Sequence, residues 1–110
     1  MKIGFIGLGN MAQAMIGGIL TKGLYQKQDI IGSCKTEETA ERIREQFGIA
    51  AGTDNSKTAD EAEVIVLAVK PIFLQEVITE IRDLITEKRK EKLVISIAAG
   101  RSTAWIEEMF

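Results

Sequence analysis

Gly7, Gly9 and Ala12 are spaced as G-x-G-x-x-A, a pattern whose chemistry is the binding of phosphate groups. Gly7 can adopt the backbone angles that a tight turn requires and that a Cβ atom disfavours. Gly9 has no Cβ, so a pyrophosphate can approach its main chain, while Ala12 is small enough for close helix–strand packing. The free N–H groups and the dipole of a following helix would then face the phosphates. The spacing therefore predicts a dinucleotide-binding turn.

The segments on either side of this motif are those that such a turn needs. Before it lies a short apolar run, Ile3 to Ile6, rich in strand formers. After it, apolar residues recur at helical spacing until Gly23: Met15, Ile16, Ile19 and Leu20. A strand, a glycine turn and a helix form the context of a dinucleotide fingerprint. A tight strand-to-helix turn that binds no ligand is the alternative.

The rest of the chain alternates strand and helix patterns. Further strands are predicted at Asp29–Ser33, Ile49–Ala51, Val64–Val69 and Leu93–Ile97. The third of these is apolar throughout, as expected for a central parallel strand covered on both faces, and Lys70-Pro71 is expected to end it. Strands that alternate with helices favour a doubly wound parallel α/β sheet. We expect about five strands in the order 3-2-1-4-5, with the ligand crevice between the first and the fourth.

Three further helices are predicted between these strands, and a fourth is predicted after the last strand. Thr36 is expected to cap a helix that ends at Gly48, with Ala40, Ile43, Arg44 and Phe47 along it. A polar turn over Thr53–Ser56 should precede a short helix, Thr58–Ala62. The next helix is expected from Phe73 to Ile85, with an inner face formed by Phe73, Val77, Ile81, Leu84 and Ile85. The last, capped by Ser102 or Thr103, is expected to be cut short, and residues 1–110 are predicted to form one domain.

The composition excludes several classes of function. A net charge of −2 argues against a nucleic-acid partner, and the basic cluster Lys88–Lys90 is interleaved with acids, as in a solvated loop. The chain has no histidine, one cysteine and no clustered acids, so histidine catalysis and a protein-built metal site are not expected. No run approaches the roughly 20 apolar residues of a membrane span, and no signal peptide is visible. A single thiol, Cys34, fits a reducing cytoplasm.

The end of the second predicted strand indicates which dinucleotide is bound. An NAD-specific fold places an acidic residue there to accept from the ribose 2′-OH. Here the strand ends in Ser33, Cys34 and Lys35, and the first acids, Glu37 and Glu38, come later. A small hydroxyl, a thiol and a cation suit a 2′-phosphate, so NADPH is expected to be preferred over NADH. The alternative is that Lys35 is an ordinary surface lysine.

Three motifs together resemble the amino-terminal domain of the pyrroline-5-carboxylate reductase family. They are GFIGLGNMA at Gly4–Ala12, AVKP at Ala68–Pro71 and SIAAG at Ser96–Gly100. The first is shared with β-hydroxyacid dehydrogenases, whereas the second and third together are more specific. The resemblance covers all 110 residues and implies a Rossmann-type fold and an NADP cofactor, with NADPH preferred and NADH possible. It also implies an oxidoreductase that reduces 1-pyrroline-5-carboxylate to L-proline in proline biosynthesis.

The family's cofactor-binding positions can be carried over to this sequence residue by residue. The resemblance implies pyrophosphate contacts from Ile6, Gly7, Leu8, Gly9, Asn10 and Met11. It implies that Ser33, Cys34 and Lys35 surround the 2′-phosphate and that Asn55 lies against the adenosine half. The nicotinamide half would be contacted by Ala68, Val69, Lys70, Pro71, Ala98, Ala99 and Gly100. Cys34 departs from the serine often found at its position in the family.

Four of these residues have a simpler alternative role. Lys70 either anchors a phosphate or a substrate carboxylate, or is a solvated strand end. Pro71 is a strand stop or a contact residue, and Asn55 is a cofactor contact or only a turn residue. Cys34 is expected to be a small filler and not a nucleophile, since only Lys35 is near enough to lower its pKa.

The family's enzymes are much longer than this chain, and their helical second domain forms the dimer and most of the substrate pocket. Catalytic residues are therefore not expected within these 110 residues, and the chain alone should show little or no turnover. The expected parent is a homo-oligomer that acts on a small molecule without nucleic acid or membrane. The alternatives are a β-hydroxyacid dehydrogenase-like enzyme, against which AVKP argues, and a non-catalytic nucleotide-sensing domain.

Overall fold

A parallel sheet forms the centre of the molecule, which a computed structural model describes over residues 2–88 and 93–96. The strands are β1 (Ile3–Ile6), β2 (Ile30–Ser33), β3 (Ala50–Gly52), β4 (Val64–Leu67) and β5 (Leu93–Ser96). The helices are α1 (Asn10–Lys22), α2 (Glu37–Phe47), α3 (Asn55–Glu61) and α4 (Pro71–Lys88). The described strands are ordered β3-β2-β1-β4-β5, and every pair is parallel. The predicted α/β class and strand order are confirmed.

Strand β1 lies between β2 and β4, and all four of its residues are buried. Its last residue, Ile6, is in register with Ser33 at the end of β2 and with Leu67 at the end of β4. The three segments that follow these strands therefore leave the sheet side by side at one edge. The strand order reverses between β1 and β4, so this edge is where a doubly wound sheet forms a ligand crevice.

The side chains of the sheet alternate between two apolar layers. On one face, Ile65 and Leu67 pack with Leu74, Ile78 and Ile81 of α4. On the other face, the buried residues of the sheet and helices are Ile3, Phe5, Ile30 and Val66 with Ile16 of α1 and Ile43 of α2. Because helices cover both faces of the sheet, the residues of β1 and β4 are apolar throughout, and polar residues do not alternate with apolar ones along these strands.

The predicted stops of the first two helices and the predicted start of the second are confirmed. The Thr36 hydroxyl accepts a hydrogen bond from the Thr39 N–H at the start of α2. Gly23 ends α1 and Gly48 ends α2, and both are in the left-handed region, with φ of 69° and 72°. A glycine reaches that region without the penalty that a Cβ imposes.

Helix α3 begins at Asn55, three residues earlier than the sequence pattern predicts. The Asp54 carboxylate accepts hydrogen bonds from the N–H groups of Ser56 and Lys57, which caps the helix there. The predicted turn over Thr53–Ser56 is therefore wrong in its second half. A capping aspartate and a turn aspartate have the same sequence context, which is why the pattern did not separate them.

Helix α4 begins at Pro71, two residues earlier than predicted, and continues through Lys88, which the sequence pattern placed in a loop. Proline at the first helical position costs no hydrogen bond and has a φ that suits a helix. Pro71 thus starts a helix and does not itself stop the strand, because β4 ends at Leu67. The predicted inner-face residues Val77 and Ile81 are buried, whereas the side chains of Leu84 and Ile85 lie outside the described residues.

Smaller differences concern the other strands. Strand β2 begins at Ile30 because a single 3₁₀ turn occupies Lys27–Asp29, and β3 is displaced by one residue from the predicted Ile49–Ala51. Strand β5 follows the prediction as far as Ser96, and both Ile97 and the final helix lie outside the described residues. Among the helices described here, none combines the length and apolar character needed to cross a lipid bilayer.

Candidate functional site

A cleft of about 780 Å³ lies at the carboxyl edge of the sheet, where the strand order reverses. The loop after β1 and the first turn of α1 form its floor, the segment after β2 forms one wall, and the segment after β4 with α4 forms the other. Its lining includes most residues that were predicted as cofactor contacts: Ile6, Gly7, Leu8, Gly9, Asn10, Cys34, Lys35, Asn55, Ala68, Val69 and Lys70. A volume of this size suits a large organic ligand.

Gly7 is required by the protein's own structure. Its φ of 101° is one that side-chain-bearing residues rarely adopt, and a Cβ there would lie 2.4 Å from the Ala68 carbonyl oxygen. The Gly7 N–H donates to the Ser33 carbonyl over 2.8 Å, which joins the turn to the end of β2. This glycine therefore brings three neighbouring segments together at the edge of the cleft.

Gly9 shows the opposite behaviour. A Cβ at Gly9 would meet no atom of the described residues within 4 Å, and the Gly9 φ of −79° and ψ of −169° are open to any residue. The space beside its main chain is thus open cleft. Gly9 is also the N-cap of α1, and no side chain caps that helix end.

The first N–H groups of α1 therefore have no side-chain acceptor, and an α-helix leaves them without a main-chain partner. Together with the positive end of the helix dipole, they form a site suited to an anion. The Gln13 amide donates to the Leu8 carbonyl over 2.9 Å, which holds the loop against the helix. The residues present at this end of α1 fit a pyrophosphate.

The wall after β2 is polar and positively charged. Lys35, Thr36, Thr39 and Arg42 all line the cleft. The Lys35 ammonium lies 3.2 Å from the centroid of the Phe73 ring on the opposite wall, a cation–π contact across the cleft. Two cations with two hydroxyls form a set of groups that can bind a phosphate.

The acidic residues nearest to this wall do not line the cleft. The Glu37 carboxylate pairs with the Arg44 guanidinium over 2.6 Å, and Arg44 also donates to the Ala51 carbonyl. The sequence analysis placed Glu37 and Glu38 beyond the strand end, and both lie in the first turn of α2. The end of β2 therefore offers cations to a ligand and no carboxylate.

Cys34 lies between these groups and is half-buried. Its Sγ donates to the carbonyl oxygens of Thr36, over 3.2 Å, and Gly52, over 3.6 Å. Burial raises the pKa of the Cys34 thiol, and the negative charge of Glu37 raises it further. These conditions favour the neutral thiol and support the predicted role of a small filler over that of a nucleophile.

A chain of polar side chains crosses the back of the cleft. The Ser33 hydroxyl donates to Asn55 Oδ1 over 2.6 Å, and Asn55 Nδ2 donates to Glu80 Oε2 over 3.3 Å. Ser33 is completely buried, Asn55 is half-buried and Glu80 is exposed. These three residues join β2, α3 and α4 around one end of the cleft.

The remaining predicted contacts lie elsewhere. Ser33 lies behind the cleft surface, Met11 is 61% exposed and does not line the cleft, and Pro71 begins α4 next to the lining residue Lys70. Ala98, Ala99 and Gly100 lie outside the described residues. In the part of the chain that is described, no three potential metal ligands form a group that could hold a metal ion.

Nine other residues that line the cleft, most of them in helices, were not predicted from the sequence: Gln13, Thr36, Thr39, Arg42, Thr53, Phe73, Glu76, Val77 and Glu80. A usable signal was present. Thr36, Thr39 and Arg42 recur every three residues, and Phe73, Glu76 and Glu80 recur at helical spacing. Residues at these intervals lie on one face of a helix, and both helices begin at the carboxyl edge of the sheet.

The fold and the site together define a nucleotide-binding domain of the Rossmann type. A family model described as "NADP oxidoreductase coenzyme F420-dependent" matches residues 2–100. The chain belongs to this family.

Individual relatives agree with the resemblance drawn from the three motifs. A pyrroline-5-carboxylate reductase from Corynebacterium melassecola is 38% identical over 106 residues, which are 96% of this chain and 39% of that protein. The structure of a pyrroline-5-carboxylate reductase from Coxiella burnetii is 35% identical with a TM-score of 0.90, over 98% of this chain and 39% of that one. A Plasmodium falciparum pyrroline carboxylate reductase with NADP bound is 28% identical with a TM-score of 0.82, over 99% and 37%. The chain thus spans about two-fifths of the length of these relatives.

Proposed function

We propose that this chain is the NADPH-binding domain of a pyrroline-5-carboxylate reductase. The observation that carries the proposal is the open space beside Gly9 at the uncapped start of α1. The fold imposes a glycine at position 7, whereas nothing in the described part of the chain requires one at position 9. A glycine there serves a ligand whose phosphates approach the main chain.

Four segments of the chain would contact the cofactor. The segment from Ile6 to Met11 would bind the pyrophosphate, and Asn55 would contact the adenosine half. Ala68–Pro71 would lie under the nicotinamide ribose, with Ala98–Gly100 at the nicotinamide end. When bound, NADPH supplies the hydride that reduces the imine carbon of 1-pyrroline-5-carboxylate to give L-proline. The protein orients the cofactor so that one face of its nicotinamide meets the substrate.

A preference for NADPH over NADH is part of the proposal. Cys34 and Lys35 line the cleft after β2, with Arg42 in the second turn of α2. Glu37 is paired with Arg44 and does not line the cleft. A 2′-phosphate would therefore meet cations and no carboxylate on this wall, and charge-assisted hydrogen bonds are the strong ones.

The proposal also covers the parent protein's substrate, partners and location. The similarity to biosynthetic reductases supports a small-molecule substrate, a cytoplasmic enzyme and a role without nucleic acid or membrane. We propose that the substrate pocket, the catalytic residues and the homo-oligomer interface depend on a helical domain outside these 110 residues, and that residues 1–110 are one domain. The isolated chain should then produce no measurable proline.

A chimera tests the enzymatic part of the proposal. The 106 residues that align with the Corynebacterium melassecola relative would replace the matching part of that protein, and NADPH oxidation would be followed after addition of 1-pyrroline-5-carboxylate. Oxidation with formation of proline supports the proposal, and the same chimera carrying Gly9→Ala is the matched control. NADPH binding without oxidation would favour a nucleotide-sensing domain.

A further inference from the structure

Ser33 is completely buried, although it is a polar residue at the end of a strand that borders the cleft. Its main-chain carbonyl accepts from Gly7, and its hydroxyl donates to Asn55. A side chain with no exposed surface cannot contact a ligand in the cleft directly. Any effect of this hydroxyl on a ligand must therefore pass through Asn55.

The hydrogen-bond partners of Asn55 leave its amide one orientation. The Glu80 carboxylate can only accept hydrogen bonds, so the amide nitrogen of Asn55 must face it. The amide oxygen then faces Ser33, whose hydroxyl has to donate. If the amide were flipped, its oxygen would face a carboxylate at 3.3 Å, which is unfavourable. Ser33 and Glu80 therefore fix the same orientation from opposite sides.

The oriented amide still has one free donor. An asparagine amide has two N–H groups, and Glu80 accepts only one of them. Asn55 lines the cleft beside Cys34 and Thr53, so the second N–H is available to an acceptor bound there. The adenosine half of a dinucleotide carries ribose and phosphate oxygens of that kind.

We propose that Ser33 is a positioning residue for cofactor binding, which acts by holding the amide nitrogen of Asn55 toward the cleft, with Glu80 as the second support. The role rests on the proposed binding of NADPH. The resemblance implied a direct contact between Ser33 and the 2′-phosphate. In the proposed role, Ser33 acts on the bound cofactor only through Asn55. Removal of one support leaves the amide orientation held only by the other, so the flipped orientation becomes more populated and the affinity for the cofactor falls.

A double-mutant cycle separates this role from a purely structural one. The dissociation constant of NADPH would be measured by calorimetry for the wild type, Ser33→Ala, Asn55→Ala and the double variant. Asn55→Ala should weaken binding on the order of tenfold, the effect of one hydrogen bond, and Ser33→Ala should weaken it by a smaller factor, because the donor remains and only one of its two supports is lost. The double variant should bind no more weakly than Asn55→Ala alone. The proposal would be overturned if the loss of affinity in the double variant equalled the product of the two single losses. Unchanged binding of NADPH by Ser33→Ala would also overturn it.

Two further variants keep the test decisive. Thr58→Val removes another buried hydroxyl, from the helix that also carries Asn55, and should leave NADPH affinity unchanged. Glu80→Leu changes an exposed residue, so it tests the second support even if Ser33→Ala does not fold. Its loss of affinity should disappear in the Asn55→Ala background. Absence of NADPH binding by the wild type would instead refute the proposed function, and with it this role.

Discussion

Replacement of Gly9 by alanine separates what the fold requires from what a ligand requires. The added methyl group would meet no atom within 4 Å in residues 2–88 and 93–96, and the backbone angles of Gly9 suit alanine. Loss of a glycine stiffens the unfolded chain and gains about 0.4–1 kcal/mol. Alanine is also a poorer N-cap than glycine, at a cost of about 0.5–1 kcal/mol. The two effects nearly cancel, so the melting temperature should stay within about 4 °C of the wild type.

Cofactor binding by the Gly9→Ala variant should nevertheless be severely weakened. A methyl group placed where the pyrophosphate approaches the main chain costs about 1–3 kcal/mol, as overpacking does in a filled interior. That range corresponds to a dissociation constant for NADPH roughly 5- to 150-fold higher. Calorimetric titration measures the affinity, and circular dichroism during heating measures the stability.

Gly18→Ala is the matched control for Gly9→Ala. Gly18 is exposed in the middle of α1, and a Cβ there also meets nothing within 4 Å. This substitution should raise the stability of the folded chain by about 1 kcal/mol, because alanine is the better helix former, and should leave NADPH binding unchanged. Wild-type affinity in Gly9→Ala would refute the reasoning, because no phosphate could then lie against that main chain. Unfolding of Gly9→Ala would refute it in a different way, since position 9 would then serve the fold.

Three further substitutions test other parts of the site. Gly7→Ala should lower the free energy of unfolding by at least about 2 kcal/mol, because its φ is positive and the Ala68 carbonyl blocks the new methyl group; urea unfolding at wild-type stability would contradict this. Lys35→Ala should weaken NADPH binding roughly 3- to 30-fold while NADH binding stays unchanged, and equal losses for both would show that Lys35 does not contact the 2′-phosphate. The pKa of Cys34 is raised in the folded chain, so the unfolded chain loses this proton first. Its contribution to stability is therefore complete below the ordinary thiol pKa and lost as pH rises above it, a decline that urea unfolding should find smaller in Cys34→Ser.

The strand order was predictable because the sequence pattern depends on burial. Runs such as Val64–Leu67 are apolar on both faces, and only a parallel sheet covered by helices on each side makes that favourable. The glycine motif was predictable because position 7 has a positive φ and no room for a Cβ, so only glycine fits there. These features are local, and one segment of sequence contains all of the information.

The walls of the cleft were less predictable because they depend on contacts between distant segments. The hydrogen bond from Ser33 to Asn55 joins residues 22 positions apart. It exists because β2 and β3 pair in a register that places Ser33 beside Gly52, three residues before Asn55. The early starts of α3 and α4 were missed for a different reason. Asp54 and Pro71 favour helix starts as readily as they favour turns and strand ends.

Side-by-side calorimetric titration of this chain with NADPH and NADH tests the central claim most directly. We expect both dinucleotides to bind at one site and NADPH to bind more tightly, with an advantage in affinity that shrinks as salt is added. NADH affinity equal to or higher than that of NADPH would contradict the assignment of Lys35 and its neighbours to a 2′-phosphate. Binding of neither would contradict the claim that the cleft beside Gly9 is a dinucleotide site.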